Sequence, residues 1–175
     1  GCFSLQIKQI QLSLHLNKNP LEQNSLVEKL TLQSESFQEG FEILCKSFSF
    51  DEMAKNFLHL LRGNFISTKI HLFYKKTKDS DWNSIQSQEK FSDADFSLLS
   101  LNNPTPIKYL KGEKYTAVVV LPLSDYSFLG ILIGGKLDGS ELNDFDKITL
   151  QILLQVFDSA HKSFLNQKKE KKLIF

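Results

Sequence analysis

The chain has 175 residues, 41% of them apolar and 23% charged, proportions of an ordinary folded domain rather than a disordered one. With 21 basic against 20 acidic residues the net charge is +1, which gives no nucleic-acid footprint. No apolar run approaches the ~20 residues of a membrane span, no basic-then-apolar leader opens the chain, and the two cysteines, Cys2 and Cys45, exclude a disulfide framework or a four-ligand zinc site, so a reduced, cytoplasmic setting is expected.

In chain order, residues 3–16 fit two patterns. Ile10, Leu12, Leu14 and Leu16 alternate like a strand, whereas Phe3, Ile7, Ile10 and Leu14 repeat like a helix. A turn-rich stop follows at residues 17–20. From Pro20 to about residue 46, Leu26, Leu30, Phe37, Phe41 and Leu44 keep helical spacing. Ser49 followed by Glu52 is a capping-box pattern for a second helix over about 51–62, with Met53, Ala54, Phe57, Leu58 and Leu61 on its apolar side and Gly63-Asn64 as its stop. Residues 68–74 alternate as a strand, and 81–85 form a shorter one. Residues 91–101 predict a short helix, and 107–110 an edge strand after the break at Pro104 and Pro106. The strongest signals are two buried strands, 114–123 and 128–135, joined as a hairpin. From about Asn143 to Lys172 one helix of about 45 Å is expected, with Phe145, Ile148, Ile152, Val156, Ala160 and Phe164 on one stripe. The last three residues are apolar and uncapped, so the chain is expected to stop within a helix of a longer protein. The whole predicts an α+β domain with a central antiparallel sheet of five or six strands. The N- and C-terminal helices would lie on one face, and a short helix plus loops on the other.

Several motifs are tested and set aside. Residues 130–137 nearly spell a phosphate-cradling loop, but Leu137 stands where a hydroxyl is needed for magnesium, and the stretch is apolar enough to be a strand. Its glycines read instead as points of close approach to the sheet. None of the four histidines (His15, His59, His71 and His161) has a partner at metal-ligand spacing. His59 and His161 read as surface residues. His71, between Ile70 and Leu72, points to the opposite face from both and is available to a ligand if that face lines a pocket. Cys45 reads as a small core residue, and lysines 168–172 as the solvated face of the last helix. No catalytic motif is found, so the segment is expected to be regulatory rather than enzymatic. Arg62 is the single arginine among the basic residues, so an anion site must draw on lysine, hydroxyls or backbone amides as well.

The stretches Phe41–Leu58, Lys69–Phe73, Val119–Leu123, Gly130–Gly135 and Leu142–Leu154 give a cadence that resembles a GAF domain. The resemblance covers about residues 34–165, leaving 1–33 as an N-terminal segment with the start of the first helix, and 166–175 as the start of a linker helix. It implies a sensory module that binds a small molecule on one face of its sheet. It also implies a homodimer formed through helices 21–46 and 143–172, relaying a signal to an output domain such as a diguanylate cyclase, a phosphatase or a kinase. The cyclic-nucleotide signature of some GAF domains finds only an echo in Lys136, Phe145 and Asp144 or Asp146. Gly135 replaces its asparagine. A cyclic nucleotide, cAMP first, is nevertheless the leading ligand candidate. The alternative is a ligand-free dimerisation module of the same fold. A GAF-type reductase of free methionine sulfoxide is disfavoured, because it would need several cysteines around the pocket.

Strand parity and the covering helix give candidate lining residues: His71, Phe73, Trp82, Phe91, Phe96, Tyr115, Ala117 and Val119. The aromatic ones would stack a flat ring. The same residues are equally suited to a second core of the sheet, since a register slip by one residue exchanges the faces.

Overall fold

A computed structural model describes residues 20–67, 69–85, 89–111 and 114–174. The ambiguous stretch 3–16, with Cys2 and His15, lies outside the described residues. In chain order the elements are α1 (Pro20–Cys45), α2 (Phe50–Asn64), β1 (Ile70–Lys75), β2 (Asn83–Ile85), α3 (Asp93–Leu98), β3 (Ile107–Tyr109), β4 (Tyr115–Pro122), β5 (Phe128–Gly134) and α4 (Asp144–Ile174). This is the α+β order expected from the sequence. The chain divides into two compact units: Ser47–Leu142, which holds the sheet, and Gly1–Lys46 with Asn143–Phe175, which holds the long helices.

In the helical unit, α1 buries Leu30, Phe37 and Leu44, seven residues apart, together with Leu26. Seven-residue spacing keeps one seam of a helix facing one neighbour, and that neighbour is α4. Lys29 Nζ stands 5.4 Å from the centre of the Phe145 ring, and the Cys45 thiol is hydrogen-bonded to Ser163. Residue numbers rise together at both ends, so the two helices run parallel. Asn143 caps α4 reciprocally: the Asp146 amide donates to Asn143 Oδ1 (2.8 Å) and the Asn143 amide to Asp146 Oδ2 (2.9 Å). Asp146 thus serves the helix start. His161 departs from its expected surface position and is 2% exposed. It lies one turn beyond Phe157 and stacks on that ring at 6.1 Å, with 7° between the planes. Its ring therefore belongs to the buried stripe that Phe157, Ala160 and Phe164 share.

Among the described residues the sheet has five strands in the order β2-β1-β5-β4-β3, each antiparallel to its neighbours. His71 pairs with Leu132 and Leu132 with Val118. Because side chains alternate along a strand, one face carries His71, Phe73, Val118, Val120, Gly130 and Leu132. The other carries Leu72, Tyr74, Ala117, Val119, Ile131 and Ile133. Helix α2 packs against β1 and β2, with the Phe50 ring 4.4 Å from Tyr74 on that second face. Its buried residues are Met53, Ala54, Phe57, Leu58 and Leu61, one stripe at helical spacing. Ser49 accepts the Glu52 amide as an N-cap, while the Glu52 carboxylate takes the Phe48 amide at 2.7 Å. Gly63 does not end the helix. It lies in the last turn, and the chain leaves through Phe65 in extended geometry, its amide on the Leu61 carbonyl.

The register between β4 and β5 shifts between Tyr115 and Ala117: Tyr115 faces Gly134, and Ala117 faces Ile133. One residue, Thr116, is therefore extra, and its hydroxyl lies 3.3 Å from the Ile133 carbonyl oxygen and 3.2 Å from that of Gly134. Such a bulge reverses the alternation and puts Tyr115 on the face of Phe73 and Leu132.

At Gly130 a side chain from outside the strand comes close against the sheet. A Cβ there would stand 2.9 Å from Trp82 Cζ3 and 3.1 Å from Leu99 Cδ2, closer than carbon atoms pack. The expected role of glycine, close approach to the strand, is met here by the indole. Gly130→Ala is predicted to lower stability by about 1–3 kcal/mol through overpacking, measured by chemical denaturation. An unchanged midpoint would show that Trp82 is not held against the strand.

Candidate functional site

Helix α3 closes the first face of the sheet. A capping box fixes its start: the Asp95 amide donates to Ser92 Oγ (3.2 Å) and the Ser92 amide to Asp95 Oδ2 (3.0 Å). Trp82 Nε1 donates to the Leu99 carbonyl at 3.2 Å and fixes its end. Beneath it, Phe73, Leu99, Tyr115, Val118, Val120 and Leu132 form a buried cluster, with Trp82, Phe91, Phe96 and Leu98 packed against it. The rings meet edge to face: Phe73–Phe91 at 4.9 Å, Phe73–Phe96 at 5.9 Å, Phe91–Phe96 at 6.2 Å, His71–Phe91 at 4.9 Å and His71–Tyr115 at 6.3 Å. This geometry suits ring quadrupoles.

Six of the eight candidate lining residues therefore converge: His71, Phe73, Trp82, Phe91, Phe96 and Tyr115. Ala117 and Val119 do not. The bulge at Thr116 gives them the opposite face, so the common face expected for Tyr115, Ala117 and Val119 is corrected. At the centre of this group Phe73 and Tyr115 are 0% and 1% exposed, while Trp82, Phe91 and Phe96 are partly buried.

Asp95, Lys114 and Tyr115 tie the helix to the sheet. Lys114 Nζ lies 3.6 Å from Asp95 Oδ1, and both Lys69 and Lys114 sit over the Tyr115 ring, at 5.5 and 5.3 Å. Burial works against the Asp95 carboxylate, but bonds from Ser92, the Lys114 charge and the Tyr115 hydroxyl outweigh it and hold its pKa below the usual value. Burial and the Asp95 charge push the Tyr115 phenol up.

Beside the aromatic cluster opens a cleft of about 440 Å³, within the range of small-molecule pockets. Phe65, Ile66 and Ile70 supply apolar wall, and Arg62, Ser67, Lys69, His71 and Glu89 the polar groups. The sequence places them there through the way α2 leads into β1. Arg62 sits in the last turn of α2. The connecting segment is stapled to the end of β5 by Ser67 Oγ on the Gly134 carbonyl (2.7 Å) and by the Gly134 amide on the Lys69 carbonyl (2.7 Å). His71 joins the cleft to the aromatic cluster. Its Nε2 lies 3.6 Å from Glu89 Oε2, and burial lowers its pKa, with Lys69, Lys114 and Arg62 acting in the same direction and Glu89 opposing them. Sequence reasoning offered His71 to a ligand on the aromatic face of the sheet and did not identify this cleft or place Arg62, Ser67, Lys69 or Glu89 in it. The one available signal was that Arg62 is the single arginine. Among the described residues no cluster could hold a metal ion, and no helix is long and apolar enough to cross a membrane.

No family model matches the chain, and a search of curated proteins gives no match. Among solved structures, the chain is similar to the GAF domain of a protein described as a sensor histidine kinase from Pseudomonas syringae pv. tomato. The identity is 18%, the match covers 89% of this chain and 98% of that one, and the TM-score is 0.49.

The lowered pKa of His71 sets a pH dependence. The folded protein favours the neutral ring, so the unfolded chain binds more protons once pH falls below the ordinary value of 6.5. Stability is complete above that value and falls as pH drops from it toward the folded pKa. His71→Gln is predicted to flatten the stability curve in this window, measured by urea denaturation from pH 7.5 to 5. An unchanged slope would remove His71 as its source.

Proposed function

We propose that this chain is a regulatory sensor domain whose ligand enters the cleft beside His71. The observation that carries the reading is the cleft itself. It has room for a small molecule and brings the single arginine together with a lysine, a hydroxyl and an imidazole, at the rim of a face already closed by aromatic side chains. A cyclic nucleotide is the ligand to test first: its phosphate suits the cationic wall, and Phe91, in edge contact with His71, is the nearest partly exposed ring for a base. The whole protein would then couple occupancy to an appended signalling output, a diguanylate cyclase, a phosphatase or a kinase, through the paired helices α1 and α4.

The same reading includes a homodimer through the long helices. Leu21, Leu32 and Ile43 on α1 are 84%, 84% and 55% exposed. Their spacing of eleven residues returns a helix to nearly the same side, so they line one side of α1 at intervals, with polar residues such as Glu28 and Glu39 between them. A second copy of the chain is the occupant that the reading assigns to it.

A second reading, a ligand-free dimerisation module in a reduced, cytoplasmic setting, is favoured by the filled aromatic cluster, in which Phe73 and Tyr115 leave no surface to a ligand. Two measurements separate the readings. In a thermal-shift screen against cyclic mono- and dinucleotides, nucleotides and small metabolites, a sensor should gain about 2.7 kcal/mol at 100 times the dissociation constant of its ligand. No shift with any compound, alongside a dimer by light scattering, would favour the module. Leu32→Glu is predicted to convert the dimer to monomer while leaving the far-ultraviolet circular dichroism unchanged. A wild-type chain that is monomeric at high concentration would refute this dimer surface.

A further inference from the structure

We propose that α1 pairs with α1 of a second copy in antiparallel order, with the two copies of Leu32 at the centre of the contact. The inference deepens the homodimer reading above and rests on it. The side of α1 that carries Leu21, Leu32 and Ile43 is turned away from the buried seam of Leu30, Phe37 and Leu44. Ser25, Glu28, Ser36 and Glu39 lie on the same side, all within about 80° of one another at 3.6 residues per turn, and all are exposed.

This side is arranged symmetrically about Leu32. Four residues away lie Glu28 in one direction and Ser36 in the other; seven away lie Ser25 and Glu39; eleven away lie Leu21 and Ile43. An antiparallel pair lays each position on its mirror image. Leu21 then meets the partner's Ile43, Glu28 stands level with the partner's Ser36, and Glu39 with the partner's Ser25. Each glutamate is offered a hydroxyl that can donate to it, and the three large apolar side chains leave water together. A parallel pair in register would also stack the apolar residues on their own copies. It would, however, set Glu28 level with the partner's Glu28 and Glu39 with the partner's Glu39, and like charges so placed oppose association. In antiparallel order Glu28 and the partner's Glu39 are instead offset by three residues along the axis, about 4.5 Å. Electrostatics therefore decides the order, and apolar contact the affinity. Because α4 runs parallel to α1, the C-terminal ends of the two α4 helices emerge in opposite directions, and whatever follows them is held apart.

The test is disulfide trapping of the 175-residue chain in a Cys2→Ser, Cys45→Ala background, with fold checked by circular dichroism and oligomeric state by light scattering. Leu32→Cys alone should give a covalent dimer on oxidation. Leu21→Cys alone and Ile43→Cys alone should not, but the two chains co-expressed should crosslink position 21 to position 43. Spin labels at position 43 should stand about 33 Å apart along the axis, against one interaxial distance of about 10 Å in a parallel pair. In the background with both native cysteines, Ser36→Lys should tighten the dimer by about 2- to 10-fold through two new pairs with Glu28. A parallel pair would bring the two introduced charges level and loosen it. Self-crosslinking at position 21 or 43, a dimer that crosslinks at none of the three positions, or a dissociation constant unchanged or raised by Ser36→Lys would overturn the antiparallel order while the dimer reading stands. A chain that is monomeric at high concentration would sink both.

Discussion

A single extra residue in β4 decides what the first face of the sheet can hold. With regular alternation, Tyr115 would share a face with Ala117 and Val119. The bulge at Thr116 turns it instead toward Phe73 and Leu132. There its phenol meets Asp95, the residue whose capping box starts α3, and its ring lies beneath Lys69 and Lys114. Tyr115 is thus bonded to the covering helix and packed into the sheet at once. Trp82 does the same at the other end of α3, bonded to Leu99 and fitted against the bare Cα of Gly130. Two anchors hold the covering helix against a buried aromatic interior, and a described cleft lies beside it, where α2 turns into β1.

Charge is distributed to match. The whole chain is nearly neutral and contains one arginine. That arginine, at the end of α2, reaches the same cleft as Lys69 and His71. Burial and its cationic neighbours lower the pKa of this histidine, which lies between the cleft and the aromatic core, with Glu89 as the opposing influence. Its charge state is therefore sensitive to what occupies the cleft. A solvated surface histidine would lack this coupling, because water would screen its neighbours.

The fold was legible where periodicity is strong. The stripe Met53, Ala54, Phe57, Leu58 and Leu61 appears in α2 as spacing alone predicted, and the hairpin β4–β5 follows from its two apolar runs. Helix ends were less legible: Gly63 has the composition of a stop, but Phe65 supplies the exit. The aromatic side of the candidate site was also legible, because His71 and Phe73 alternate in one strand and Phe91 and Phe96 flank the start of a helix. Ala117 and Val119 were misplaced because a bulge has no sequence signal when neither neighbour is glycine, and it inverts every residue beyond it. The cleft was invisible for a different reason. Arg62, Lys69 and Glu89 come from a helix end, a strand start and a loop, and the bonds of Ser67 and Lys69 with Gly134 bring the first two beside the sheet.

The measurement that bears most directly on this arrangement is a two-dimensional amide NMR titration with the compound that gives the largest thermal shift. A ligand in the cleft should move the resonances of Arg62, Ser67, Lys69, His71 and Glu89, and leave the Trp82 indole proton, bonded to Leu99 inside the closed face, in place. Shifts centred on Trp82, Phe96 and Val118, with the cleft residues unmoved, would contradict it and return the ligand to the aromatic face of the sheet.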